Sequence, residues 1–349
     1  MSTTQAAIEP LPTSPRRRGG WRAVRERESL TGLVFVAPFI VGFILFSAIP
    51  MVASLVLSLT DFDPREPDEI HFIGLANYQQ MLTDPVLHES LGVTLRFALL
   101  VVPLTLAAAL GVAMLVNSKL LAGRNVFRTL FYMPMQIPLV ASTIVWIGVL
   151  HATTGWLNYG LEAVGLPGPN WLQSTFWVGP ALGLMGLWGI GNMMLIFLAG
   201  LQSVPTELYD AAKVDGAGSW ASFRHVTLPM ISPVLFYNLI IALIAAFQYF
   251  TQAFVVSNGR GDPDRATLFF NLNLYREAFG FFHMGYASAL AWLLFVIVLG
   301  LTVVLFKTAG SWVFAGGERC PRWPGRSAGR GPPRVRSATT CGDSVRSPR

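Results

Sequence analysis

Six stretches without a single Asp, Glu, Lys or Arg partition this chain: 29–60, 97–118, 129–161, 163–206, 226–259 and 278–306. A helix rises about 1.5 Å per residue and a hydrocarbon core is about 30 Å thick, so about 20 apolar residues cross it. Each stretch is long enough. Apolar density inside them predicts crossing helices near 31–58, 97–117, 128–150, 177–200, 234–257 and 286–306. Charged residues are 13% of the chain, against roughly 25% in a soluble domain, so polar surface is too scarce to cover one soluble core. Six buried helices of a soluble protein would need amphipathic partners, and none are present. The expected fold class is an all-α membrane protein with six transmembrane helices. Pro38, Pro50, Pro103, Pro134, Pro138 and Pro180 lie in or beside the spans, which predicts a packed bundle with kinks.

Basic residues near the spans set orientation. With 318–349 set aside, one side carries Arg16, Arg17, Arg18, Arg22, Arg25, Arg27, Lys119, Arg124, Arg128, Lys213, Arg224 and Lys307. The other has only Arg65, Arg96, Arg260, Arg265 and Arg276. Both termini are therefore expected in the cytoplasm. The first external loop is acidic, with Asp61, Asp63, Glu66, Asp68, Glu69, Asp84 and Glu89. The apolar run that follows the Arg-rich N-terminal region is too long for a signal peptide and reads as a retained span.

Several function classes fall away. A secondary transporter usually needs ionisable groups inside the membrane, and none sits at mid-span; Arg96 is expected at a helix end, where it can snorkel. The three lysines follow Ser118, Ala212 and Phe306, so no phosphate loop ending in Gly-Lys-Ser/Thr exists. His71, His88, His151, His225 and His283 make no metal-ligand spacing, and no nucleophile motif stands out. No cofactor, metal or catalytic residue is expected. Uphill movement of a solute would draw its energy from a partner.

The segment 202–233, between the fourth and fifth spans, predicts two short helices around a turn. Ser203 or Thr206 can cap the first, with Pro205 in its opening turn. Leu208, Ala211 and Ala212 share a thin face, Gly216 and Gly218 break the helix, and Ser219 can cap a second that carries Trp220 and Phe223. Pro229 is expected to end it. Here the chain resembles a family. Asp210-Ala211-Ala212, three residues, Gly216, nine residues, then Val226-x-Leu228-Pro229 is similar to the EAA signature of binding-protein-dependent ABC importer permeases, with Asp210 where that family usually has Glu. Residues 30–317 resemble the maltose-type sugar permeases, through Phe72-Ile73-Gly74-Leu75-Ala76-Asn77-Tyr78, Arg128-Thr129-Leu130-Phe131-Tyr132-Met133-Pro134 and the run from Met284 to Trp292.

The resemblance implies a type I ABC importer transmembrane domain in a bacterial inner or plasma membrane, forming half of a pathway. The implied partners are a second permease subunit, usually a different chain, a cytoplasmic ABC ATPase dimer and an extracytoplasmic sugar-binding protein, all in membrane lipid and without nucleic acid. It assigns Glu207, Asp210, Ala211, Ala212, Asp215, Gly216, Leu228 and Pro229 to coupling with the ATPase. A self-contained facilitator or channel is the alternative, but no filter or pore-lining repeat is found.

A substrate pathway is sought among neutral polar and aromatic residues at mid-membrane depth: Gln136, Thr143, Trp146, Trp188, Asn192, Asn238, Gln248, Tyr249, Gln252, Ser288 and Trp292. Asn192, Asn238, Gln248, Tyr249, Gln252 and Trp292 are the leading set, best in the fifth span, where a continuous helix would place Asn238, Gln248 and Gln252 in one broad sector. Such groups suit a sugar or polyol, whereas interhelical hydrogen bonding is the competing use for each.

The expected organisation is a basic cytoplasmic tail (1–29), the first span with the acidic loop (30–92), a core with its coupling loop (93–307) and an Arg-rich tail (318–349). That last tail holds both cysteines and eight arginines against Glu318 and Asp343, which accounts for the whole net charge of +6. Its Arg/Pro/Gly/Ser composition predicts disorder. It reads as a lineage-specific extension or a shifted reading frame.

Overall fold

The structure, a computed structural model, describes residues 34–118 and 121–314; the tails at 1–29 and 318–349, with Cys320 and Cys341, lie outside the described residues. The helices in order are α1 (Val34–Leu57), α2 (Ala76–Thr83), α3 (Pro85–Asn117), α4 (Arg124–Tyr132), α5 (Leu139–Val149), α6 (Trp156–Ala163), α7 (Val178–Trp188), α8 (Gly191–Gln202), α9 (Thr206–Val214), α10 (219–230), α11 (Ser232–Phe247), α12 (Thr251–Ser257), α13 (Phe270–Tyr275) and α14 (Met284–Trp312). No β-strand occurs among the described residues; one isolated bridge joins Thr60 to Phe72.

Four segments are long and apolar enough to cross a membrane: α1, α3, α11 with α12, and α14. Two more qualify only as bent pairs. The α4 limb, extended to Gln136, meets α5 at 102°, and α7 meets α8 at 55°. The prediction at 128–150 therefore joined two limbs that lie across one another. Their hinge is Pro134 to Pro138: a proline ends a helix by removing a donor and by disfavouring helical geometry in the residue before it. The second bend falls at Gly189 and Ile190, where no proline lies. There a Cβ on Gly191 would collide with the Phe131 carbonyl, so glycine lets α8 begin against the backbone of α4.

Proline does not always kink this bundle. Pro103 sits inside the unbroken α3. Pro50 and Pro229 each follow a five-residue π-turn by one residue, Ile44–Ala48 and Phe223–Thr227. Widening the preceding turn moves aside the carbonyl that the proline ring would strike and cannot bond. Hence α10 runs through Pro229 and breaks at Ile231, two residues later than expected.

The centre is α3, 33 residues long. Ala109 and Ala113, both fully buried, allow α8 to approach, where it contributes Met194, Phe197 and Leu198, while Ala242, Ala246 and Leu290 join from α11 and α14. Small residues suit close helix packing in lipid, where hydrophobic burial gives no net drive. A second cluster gathers Phe97 and Val101 of α3 with Val178, Leu182, Leu268 and Phe269. Arg96 is not at a helix end, because α3 starts eleven residues earlier at Pro85 and carries it out beyond the apolar run. α1, by contrast, has no buried residue.

The end of α1 is anchored through two of the sequence patterns noted above. Asn77 Nδ2 donates to the Ser58 and Thr60 carbonyls, each at 2.9 Å, and the Tyr78 and Ser58 hydroxyls lie 2.9 Å apart. Gly285 donates its N–H to the Phe62 carbonyl at 3.1 Å, and a Cβ there would strike Thr60. The neighbouring Tyr286 hydroxyl donates to Asp84 Oδ2 at 2.6 Å, while Asp84 Oδ1 caps α3 by accepting from the Val86 N–H. Nearby, hydrogen bonds donated by Arg65 hold the Asp63 carboxyl at about 2, and the His71 backbone N–H lowers that of Asp61.

Candidate functional site

The fifth span is interrupted. α11 stops at Phe247, α12 starts at Thr251, and Gln248, Tyr249 and Phe250 take non-helical backbone between them. Irregular backbone at membrane depth is tolerated where it lines a cavity or is buried in protein. Here it borders a cavity of ≈ 540 Å³ between α3, α7, α8, α11 and α12. Five of the six leading residues line it: Asn192, Asn238, Gln248, Tyr249 and Gln252. The break replaces the single helical sector expected for Asn238, Gln248 and Gln252 with two helix ends facing one space. Trp292 is not brought there; it borders a separate groove with Met51, Ser54 and Phe295.

Two polar groups in the cavity wall stand unused. Among the described residues, Asn238, which is 2% exposed, has no acceptor for its Nδ2, and the Tyr249 hydroxyl, shut from solvent, has no partner either. A buried unsatisfied polar group costs about 1–3 kcal/mol, so such groups are kept only where something else needs them. Tyr249 is held by packing instead. Its ring centroid lies 4.6 Å from Phe97 and 4.8 Å from Phe269, which themselves meet edge to face at 4.9 Å. The sequence reading missed Phe97 and Thr105, which with Val101 form an i, i+4, i+8 stripe of α3 along the wall. That spacing was the available signal. Thr143 is committed to the Leu139 carbonyl, and Trp146 packs edge to face on Trp188.

The segment 202–233 forms the second region. Its helices start without the expected side-chain caps: Pro205 and Gly218 occupy those positions, and Ser203 Oγ turns back to the Gly200 carbonyl at 2.7 Å. The end of α9 is well determined. Gly216, at φ +78°, donates to Lys213 O at 3.0 Å, and Ala217 donates to Ala212 O at 2.8 Å. This pair of bonds is the Schellman closure, which needs the left-handed residue that glycine supplies. Tyr209, not singled out in the sequence, anchors α9 to α10 through its hydroxyl and Thr227 Oγ1 at 3.0 Å.

The outer surface of this loop is uncovered. Glu207, Asp210, Ala211, Asp215 and Gly216 are exposed, Ala212 is half-buried, and Leu228 and Pro229 sit half-buried at the base. Val214 is 88% exposed, Trp220 72% and Leu208 40%. Asp210 pairs with Lys213 at 3.0 Å on the same helix, both largely in solvent. Such a pair contributes little, so its carboxylate can exchange partners at small cost.

Comparison with known proteins gives a consistent picture. Residues 106–309 match the family described as binding-protein-dependent transport system inner membrane component. A probable ABC transporter permease protein, YesP of Bacillus subtilis, is 42% identical over 84% of this chain and 94% of its own length. An arabinooligosaccharides transport system permease protein, AraP of the same species, is 30% identical over 87% and 96%. The trehalose/maltose permease protein MalF of Thermococcus litoralis is 31% identical over 81% and 95%. In fold, the chain is similar to a subunit of a bacterial alginate ABC transporter solved with an alginate pentasaccharide-bound periplasmic protein. That likeness has TM-score 0.70 at 20% identity, covering 83% of this chain and 96% of that one.

Proposed function

The chain belongs to the binding-protein-dependent transport system inner membrane components, the permease subunits of ABC importers, and on that premise we propose that it imports a neutral sugar or polyol through the cavity at the α11–α12 break. It is a multi-pass membrane protein. The observation that carries the substrate class is the cavity wall, where Asn238 Nδ2 and the Tyr249 hydroxyl are buried without partners beside Gln248, Gln252 and Asn192. Amides and hydroxyls bind hydroxyl groups, aromatic rings cover C–H faces, and among the described residues no charged side chain lines the cavity to hold a counter-ion. The sugar names carried by AraP and MalF support the same class.

In this reading 202–233 is the coupling element. Glu207, Asp210, Ala211, Ala212, Asp215 and Gly216 meet a separate cytoplasmic ATPase dimer, and Leu228 and Pro229 pass its movement to α11. The ATPase performs the hydrolysis; this chain is not an enzyme. A second permease supplies the other half of the pathway, and an extracytoplasmic binding protein delivers the solute. Both termini lie in the cytoplasm of a bacterial cell, and the 318–349 tail is dispensable for transport.

The deciding experiment reconstitutes the chain with its candidate partners in vesicles and measures uptake of a panel of labelled neutral oligosaccharides with and without ATP. ATP-dependent uptake of a neutral sugar, reduced in Asn238→Leu, is expected. ATP-independent uptake would instead establish a facilitator, and uptake indifferent to Asn238 would remove the cavity from the pathway.

A further inference from the structure

The short helix α4 has a two-sided sequence of an unusual kind for a segment inside a membrane protein. At about 100° per residue, Arg124, Asn125, Arg128, Thr129 and Tyr132 fall within one sector, and Val126, Phe127, Leu130 and Phe131 fill the opposite one. The 102° turn into α5 lays this helix across the following limb. An amphipathic helix with arginines on its polar face and aromatic and aliphatic residues on the other lies in a membrane interface, its apolar face toward the acyl chains. Val126 and Leu130 are indeed 68% and 59% exposed.

Two cavities adjoin at the start of this helix. One is a cup of ≈ 480 Å³ lined by Leu121, Gly123, Arg124, Asn125, Val126 and Arg128. The other is an apolar groove of ≈ 380 Å³, with Val112, Leu115 and Val116 of α3 on one wall and Phe127 and Phe131 of α4 on the other. Leu121 lines both, so the basic cup and the apolar groove adjoin at this residue. Neither arginine has an acidic partner among the described residues, and Arg128 Nε is shut from solvent without an acceptor. Arg124 and Arg128 both line the cup, and a guanidinium is a strong donor to an anionic oxygen.

We infer that this is a binding site for one anionic phospholipid, its phosphate held by Arg124 and Arg128 and one acyl chain laid between α3 and α4. A free phosphate would explain the cup alone. The joined groove requires a ligand with an anionic head and a hydrocarbon tail, which a membrane lipid supplies. Seated there, the lipid fills the angle between α3 and the transverse helix. It thereby holds the α4 backbone that Gly191 lets pass at the head of α8, one wall of the solute cavity. The proposal extends beyond transport of the solute and stands whatever that solute is.

Native mass spectrometry of the detergent-purified chain, alone or with whatever subunits co-purify, tests it. The probes are dioleoyl phosphatidylglycerol, dioleoyl phosphatidylcholine and inorganic phosphate. The wild type should retain one phosphatidylglycerol in preference to phosphatidylcholine, and phosphate should not displace it. Each arginine near an anionic lipid contributes about a factor of five, so R124Q/R128Q should weaken retention roughly 30-fold. The exposed single variant R124Q should weaken it about fivefold and serves if the double variant does not fold. Leu115→Trp, which fills the groove and leaves the cup intact, should also expel the lipid. Equal retention of both lipids, retention unchanged in R124Q, or displacement by phosphate alone would overturn the site.

Discussion

The membrane cavity and the 202–233 loop are incomplete in opposite senses. In the cavity, polar groups are buried with nothing to bond: Asn238 Nδ2 and the Tyr249 hydroxyl. In the loop, apolar groups are exposed with nothing to cover them: Leu208, Val214 and Trp220. In the proposed reading a polar solute completes the first and a protein surface the second. The physical costs are of different kinds, desolvation in the first and unburied apolar area in the second. A chain that carries both is built to respond at two separated places.

The contrast can be broken in the loop first. Gly216 has open space around it, so a side chain there meets nothing among the described residues; its left-handed backbone is what resists substitution. Gly216→Val should abolish uptake while leaving membrane insertion intact. Gly216→Asn, which tolerates that conformation, separates backbone strain from obstruction of a docking partner, because only obstruction persists in it. The next largest effect is expected in the cavity. Asn238→Leu should remove the proposed hydrogen bond to solute, a loss of up to about tenfold in uptake. It should leave thermal stability equal or higher, since it also removes a buried unpaired donor. A fall in stability would show that Asn238 serves packing.

Smaller effects sharpen the same distinction. Trp220→Ala should weaken co-purification of the ATPase several-fold without changing the melting temperature, because the ring is exposed in the isolated chain. Tyr209→Phe deletes the bond to Thr227 and should loosen the loop by about 1 kcal/mol, read as faster amide exchange over 206–230. The smallest change belongs to neither region. The Asp63 carboxyl is held at about 2 by Arg65. Its folded value lies below the ordinary one, so its contribution is complete above the usual carboxylate range and is lost as pH falls through about 2. Protection factors in 61–71, taken relative to the intrinsic exchange rate at each pH, should therefore stay constant from pH 7 to 5 and fall only in strong acid.

Much of this was legible before any coordinates. The absence of charge over six stretches identified the crossing segments, since a charged group inside hydrocarbon is too costly to hide. The EAA-like spacing identified the loop, because helix, left-handed glycine and proline are local features whose spacing is their geometry. Polarity alone singled out five residues that line one cavity, Asn192, Asn238, Gln248, Tyr249 and Gln252. Trp292 was not separable from them, because a tryptophan at membrane depth packs, anchors or binds with the same sequence signature. The side-chain caps at Ser203, Thr206 and Ser219 were misplaced because a proline and a glycine begin those helices as well as a hydroxyl does.

What the sequence determined by itself is the list of segments that must lie in lipid and the position of the loop between two of them. Both follow from transfer energies and backbone geometry, which act residue by residue. The tertiary structure decided which segments stay straight, that α4 turns across α5, that the fifth span opens at Gln248, and that five polar residues from α8, α11, α12 and the break between the last two face one space. Those outcomes depend on backbone meeting backbone, as at Gly191 with Phe131 and Gly285 with Thr60, and such meetings are fixed only when distant parts of the chain pack together.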